Sequence, residues 1–176
     1  MRRVAGRVVV GEGMPEEPKP PKPYPLEPYI EIIKGVVNGL GLDADECYNK
    51  EGNYWSLRKG SAEVFVSLFV IGEGDGREWY VEFSSPVMKL PSTNLIPFYR
   101  RLLEENAKWV ATRFSLRGDT VRLDITREVA GIDAEECSRS LTRIGDVADG
   151  LDDMLMEEFG GAGEEESAKA EGSAPA

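Results

Sequence analysis

Apolar residues recur at intervals of three and four from Leu26 to Leu40, where Ile30, Ile33, Val37 and Leu40 form one stripe. That spacing predicts an amphipathic helix, and Gly39 and Gly41 end it. Past the turn residues Asn49 to Gly52, the pattern changes to strands. The first runs near Asn53 to Arg58 and the second from Ala62 to Ile71. Gly72 to Gly76 makes the next hairpin loop, and a third strand covers about Glu78 to Ser84. Pro86 and Pro91 are expected to close off the chain beyond Ser84 from further strand pairing. Helical spacing returns from Leu95 to Lys108, with Leu95, Phe98, Tyr99, Leu102 and Leu103 on one stripe and Pro97 in the first turn. Two further strands, Val110 to Arg117 and Thr120 to Glu128, meet at Gly118-Asp119, a two-residue hairpin turn. A last helix begins at Asp133, which can cap it, with Glu136 completing a capping-box-like pair. Its seam is Cys137, Leu141, Ile144, Ala148, Leu151 and Leu155, along roughly 35 to 40 Å at 1.5 Å per residue. The order is α-β-β-β-α-β-β-α, an α+β domain with helices packed on an antiparallel β-sheet.

Strand alternation separates two faces. Val64, Val66, Leu68 and Val70 share one face of the second strand, as do Trp79, Val81 and Phe83 on the third. Phe114 and Leu116, with Val121, Leu123 and Ile125, continue that face, which should meet the helices. The opposite face of the second strand is also apolar, with Phe65, Phe69 and Ile71. Tyr80 and Tyr54 are placed to join them, whereas the last two strands show Arg113, Arg117 and Arg122 there. A sheet covered on one side alternates apolar and polar residues, and this strand does not. Three covers stay open: the last helix or the N-terminal arm, a second copy of the chain, or a partner segment. Phe65, Phe69, Ile71, Tyr80 and Tyr54 are therefore the candidate partner or dimer contacts.

Composition sharpens this picture. The 176 residues carry 32 acidic and 21 basic side chains, a net charge of -11. That argues against duplex nucleic acid, which needs a clustered basic surface, and against an anionic membrane. A protein partner remains compatible. Residues 1–25 include the proline-rich stretch from Pro15 to Pro25 and read as a flexible or stiffly extended arm. Residues 26–159 hold the domain, and residues 160–176, rich in Gly, Ala, Glu and Ser, read as a disordered acidic tail. The first residues lack the apolar core of a signal peptide and no run is long enough to span a bilayer, so a cytoplasmic protein is expected. Met14 is an alternative start.

Candidate chemistry is sparse. The chain has no histidine, which removes the commonest general base and metal ligand. Cys47 and Cys137 read as small, buried or half-buried thiols rather than a disulfide framework. Ser56-Leu57-Arg58-Lys59 matches the Ser-x-x-Lys of acyl-serine enzymes, yet on a strand i and i+3 point to opposite faces. Asp146, Asp149, Asp153 and Glu157 are spaced to suit a hard cation, but they also describe the solvated back of an amphipathic helix. Trp55, Trp79 and Trp109 read as core anchors. No catalytic residue, metal site or cofactor is expected.

Several short pieces occur in a telling order between Tyr29 and Phe159. They are Gly60-Ser61-Ala62, then Leu90-Pro91 with Asn94, and Phe98-Tyr99-Arg100 with Leu102-Leu103 and Asn106. Phe114, Ala148-Asp149 and Leu151 come after them. Together they resemble the YbjN-domain family, described as sensory-transduction regulators, whose fold resembles type III secretion chaperones. The resemblance implies a small acidic domain, usually dimeric, that holds an extended client segment against apolar surface. The proline-rich arm and acidic tail depart from dedicated chaperones. The expected function is a non-catalytic protein-binding module, chaperone-like or a regulatory adaptor, and a homodimer. The alternatives are a small-ligand sensor or a structural subunit of a larger complex.

Overall fold

The structure, a computed structural model, describes residues 26–72 and 76–160. The expectations for the arm and for the tail beyond Gly160 lie outside the described residues. The first helix, α1 (Glu27–Gly39), carries a proline in its first turn and buries Ile33 and Val37. It ends where the Gly41 amide donates to the Asn38 carbonyl at 2.9 Å, with Gly41 at φ 81°. A side chain is disfavoured there, so glycine stops the helix.

Six strands come next: β1 (Tyr48–Asn49), β2 (Tyr54–Lys59), β3 (Ala62–Ile71), β4 (Glu78–Lys89), β5 (Arg113–Arg117) and β6 (Thr120–Glu128). They form one antiparallel sheet in the order β1-β2-β3-β4-β6-β5. Helix α2 (Leu95–Asn106) joins β4 to β5, and α3 (Ala134–Phe159) closes the chain. The expected α+β architecture is present, with differences at β1, at the end of β4 and at the start of β5, which begins at Arg113 rather than Val110 because residues 110–112 do not pair with β6. The two-residue β1 was not expected and overlaps the turn region only at Asn49, because a pair of residues has no periodicity to show. β4 also runs five residues past the expected end at Ser84. Its last partner on β3 is the Ser84–Phe65 pair, and beyond that only β6 pairs with it. Pro86 therefore sits where one ladder has already ended, and the register with β6 shifts between Pro86 and Met88. A proline without an N–H is tolerated at such a half-paired bulge.

All three helices pack on one face of the sheet; the α3 seam is fully buried, whereas Leu40 of the α1 stripe is exposed at the helix end. Ile33 and Val37 of α1, Phe98 and Leu102 of α2, and the α3 seam share one core with Val64, Val66, Val81, Phe83, Val121 and Leu123. Cys137, Leu141, Ile144, Ala148, Leu151 and Leu155 are all buried, as their spacing requires. The register puts Trp55, Val66, Phe83 and Ile125 in one row across four strands. A slip of one residue would turn every member of that row to the other face. Val70 and Leu116, assigned to this face from alternation, are exposed because they lie at strand ends beyond the helices' reach. Tyr99 and Leu103 are likewise exposed on α2, which buries only Phe98, Leu102 and Glu105.

Family-like sequence pieces prove to be the joints of this packing. Gly60 turns β2 into β3 at φ 59°, and a Cβ there would collide with the Asp149 carboxylate. Ser61 donates both its amide and its hydroxyl to Asp149, at 2.7 and 2.8 Å, and the hydroxyl also reaches Asp152 at 2.8 Å. These bonds hold the Asp149 carboxyl below its ordinary pKa, the amide contributing most. Lys59 pairs with Asp146 at 2.5 Å. Asp146 and Asp149 therefore clamp α3 to the β2–β3 turn, and their row is not simply the solvated back of a helix. Asn106 at the end of α2 accepts the Phe114 amide at 2.6 Å, and Phe98 stacks edge-on against Phe159 at 5.0 Å. At the start of α3, Asp133 accepts the Glu136 amide at 2.7 Å. The reciprocal half of the capping box is not made, because the Glu136 carboxylate pairs with Arg127.

Candidate functional site

The face of the sheet opposite the helices carries no covering element among the described residues. It brings four of the five candidate residues together as two aromatic pairs. Tyr54 on β2 meets Phe65 on β3 edge-on at 5.2 Å. Phe69 stacks on Tyr80 of β4 at 5.8 Å, the two being direct cross-strand partners. All four are half-buried by one another rather than by a second layer. Ile71 lies on the same face but past these pairs, opposite Glu78, and is 54% exposed. The Tyr80 hydroxyl donates to Glu78 at 2.9 Å, which pushes its pKa above the ordinary value. Of the three covers left open by the sequence, α3 is removed, since its buried seam lies entirely on the other face.

Beside the aromatics, β4, β6 and β5 carry a polar network. Glu82, Ser84 and Asp124 are buried although no described element lies over them, Asp124 being 2% exposed. Long neighbouring side chains enclose them laterally. Arg117 donates to both carboxylate oxygens of Glu82, at 3.0 and 3.2 Å. The Arg122 guanidinium lies 5.5 Å above the Phe65 ring, a cation–π geometry, and donates to Ser84 Oγ at 2.5 Å. Ser115 donates to Asp124. Asp124 Oδ1 and Arg122 Nε stand 3.9 Å apart, and neither has a hydrogen-bond partner. A buried polar atom without a partner is costly. The sequence pattern had shown the arginines but not the acids they meet. Alternation of Glu82 and Ser84 with Val81 and Phe83, and of Asp124 with Leu123 and Ile125, is the signal that could have found them.

A second apolar surface lies at the α2–β5 edge. Ile96 is 84% and Leu103 68% exposed, with Tyr99 and Leu116 beside them. A shallow groove of about 310 Å³ runs between Tyr99, Leu102, Leu103, Phe114, Leu116 and Val121. β5 is the last strand of the sheet, so its outer backbone edge faces outward.

Ser56 bonds Glu63 at 2.9 Å, whereas Lys59 points to α3, so the Ser-x-x-Lys pair is split between the faces. Cys137 is buried and its thiol is pushed up to about 12, while half-buried Cys47 is raised by burial and then by Asp43 and Glu46. Among the described residues no group of His, Cys, Asp and Glu is arranged to hold a metal ion. No described helix is long and apolar enough to cross a membrane.

No curated protein matches the chain in sequence. Solved structures match in fold. A chain of the ExsC–ExsE complex is 18% identical, covering 73% of this chain and 94% of that one, with a TM-score of 0.53. The Yersinia pestis type III secretion chaperone SycH in complex with a stable fragment of YscM2 is 16% identical, covering 70% and 98%, at 0.49. The Pseudomonas aeruginosa ExoU–SpcU heterodimeric complex of the type III secretion system gives 15% identity, 72% and 97%, at 0.48. The first of these shows that the fold is shared with a protein of very different sequence. A family model matches residues 29–157, which is most of the chain and includes the Gly60, Ser61–Asp149 and Asn106–Phe114 joints described above. On that match the chain belongs to the YbjN family, described as "Putative bacterial sensory transduction regulator".

Proposed function

We propose that this domain is a non-catalytic protein-binding module that holds an extended segment of a partner protein on the open face of its sheet. The carrying observation is the pair of aromatic contacts, Tyr54–Phe65 and Phe69–Tyr80, left half-buried on a face that no described element covers. An extended segment laid over β2, β3 and β4 would bury these rings. The structural neighbour comes from the ExsC–ExsE complex, which supports a protein-binding use of this fold. The domain limits, a cytoplasmic location and a homodimer belong to this reading. The second copy is placed at the α2–β5 edge, where a two-fold axis would pair each β5 with its copy and bury Ile96, Tyr99, Leu103 and Leu116.

Light scattering after size exclusion of the full chain tests both halves. The wild type is expected at twice the chain mass. Leu103→Asp should halve it, whereas the double variant Phe65→Ser, Phe69→Ser should leave it unchanged. The same double variant should stay folded by circular dichroism and lose a partner captured by the wild type. If it becomes monomeric, the open face is the self-interface. If it unfolds, those rings are ordinary core and the binding proposal fails.

A further inference from the structure

Arginine side chains gather around one loop of this acidic chain. The connection from α2 to β5, residues 107–112, exposes Trp109 and Val110, Val110 by 79%. Ala111 follows at φ 62°, a left-handed conformation that a residue with a Cβ rarely adopts. Arg143 of α3 donates to the Val110 carbonyl at 3.2 Å, so the backbone is pinned while the apolar side chain points outward. Strain held in this way is a recurring mark of functional loops. The expected core role of Trp109 is not what the structure shows. Its ring instead forms one wall of a groove with Arg139, Thr142, Arg143, Asp146 and Val147 of α3. A second groove, past Ala111, shares Arg139 and Arg143 and adds Arg127.

The local charge is opposite to that of the whole chain. Asp146 is neutralised by Lys59, and Glu136 by Arg127. Arg139 has only a 3.6 Å exposed pairing with Glu135, and such pairs are weak. Arg143 is engaged by a backbone carbonyl, and Arg113 at the start of β5 by the Thr126 hydroxyl at 3.0 Å. Two guanidinium groups thus flank an exposed indole without a strong carboxylate partner. We propose that the Trp109–Val110 loop and the Arg139–Arg143 face of α3 form a docking surface for an acidic protein segment that carries an aromatic or apolar side chain. Arginine supplies planar pairing to carboxylates, and Trp109 supplies the rigid anchor. A nucleic acid offers anions as well, but its dense charge is repelled by a chain of net charge -11, which a segment with a few carboxylates largely escapes. This surface is built on α3, across the sheet from Phe65 and Phe69, and does not depend on the open-face reading.

Fluorescence anisotropy of the full chain with a labelled random copolymer of glutamate and tyrosine tests it, with polyglutamate and polyuridylate as comparisons. The copolymer should bind in low salt and weaken as salt rises. Trp109→Ala should weaken binding about tenfold and Arg139→Gln about threefold. The double variant Phe65→Ser, Phe69→Ser should bind like the wild type. The proposal is overturned if the copolymer does not bind, if Trp109→Ala binds it equally, or if polyuridylate binds as tightly. Binding that appears only after Glu164, Glu165 and Glu166 are changed to Gln would assign the surface to the chain's own acidic segment and overturn the partner reading too.

Discussion

On the helix-covered face, Val64, Val66, Val81 and Phe83 are at most 1% exposed. The residues alternating with them on the same two strands, Phe65, Ser67 and Tyr80, are half-buried, and Glu82 is buried only with the help of Arg117. One backbone thus carries two kinds of surface. Burial on the first is vertical, under α1, α2 and α3, and excludes water across the whole layer. Burial on the second is lateral, by rings and guanidinium groups leaning on their neighbours. Layered packing gives stability, whereas lateral packing leaves aromatic area and polar atoms ready for another surface.

The comparison is broken most directly by truncating one large ring on each face. Phe83→Ala should cost about 3–5 kcal/mol, because it opens a cavity in a closed layer. Phe69→Ala should cost about 1 kcal/mol, since its site is already open to water. Urea denaturation of the two variants reads the difference, and equal losses would mean that both faces are core. Next in size is Asp124, the most buried charge of the open face. Asp124→Ala should lose about 1–3 kcal/mol by stranding Ser115 and Arg122, while Asp124→Asn keeps the shape and should lose less. If alanine is neutral, lateral burial does not hold that network together.

Smaller effects sharpen the picture on the covered side, where Asp149 clamps α3 to the β2–β3 turn. Its folded-state pKa is lowered, so its contribution is present above the unfolded value of 3.8 and fades as pH falls through the lower folded value. Thermal melts should therefore show Asp149→Asn below the wild type at pH 7 and close to it in strong acid. A constant gap at all pH values would contradict the clamp. The smallest perturbation is thiol labelling. Cys47 should react slowly in the native chain, and Cys137, with its thiol pushed up to about 12, only after the helical layer opens. Denaturant dependence of Cys137 labelling should follow global unfolding.

Particular residues show what could be seen in advance. The α3 seam and its Asp133 cap were legible because spacing along a helix is local. Phe65, Phe69, Tyr80 and Tyr54 were legible as an anomaly of alternation, and they lie on a face that no described element covers. Trp109, Tyr99 and Leu103 were not legible, because an aromatic or leucine has the same pattern at a core and at an exposed edge. The continuation of β4 through Pro86 was hidden for a related reason. A proline rules out a ladder bond but does not say which side of the strand still has a neighbour.

The sequence by itself determined the element types, the face each strand residue takes, the covered core and the family, since these depend on local period and ordered short pieces. Only the tertiary structure decided the strand order, the joining of Gly60-Ser61 to Asp149, the enclosure of Asp124 by Arg122 and Ser115, and the arginine-flanked loop at Trp109. Each of these depends on which distant segments become neighbours. That choice is made by packing all three helices on one side of a single sheet, an energy shared by the whole chain rather than by any window of it.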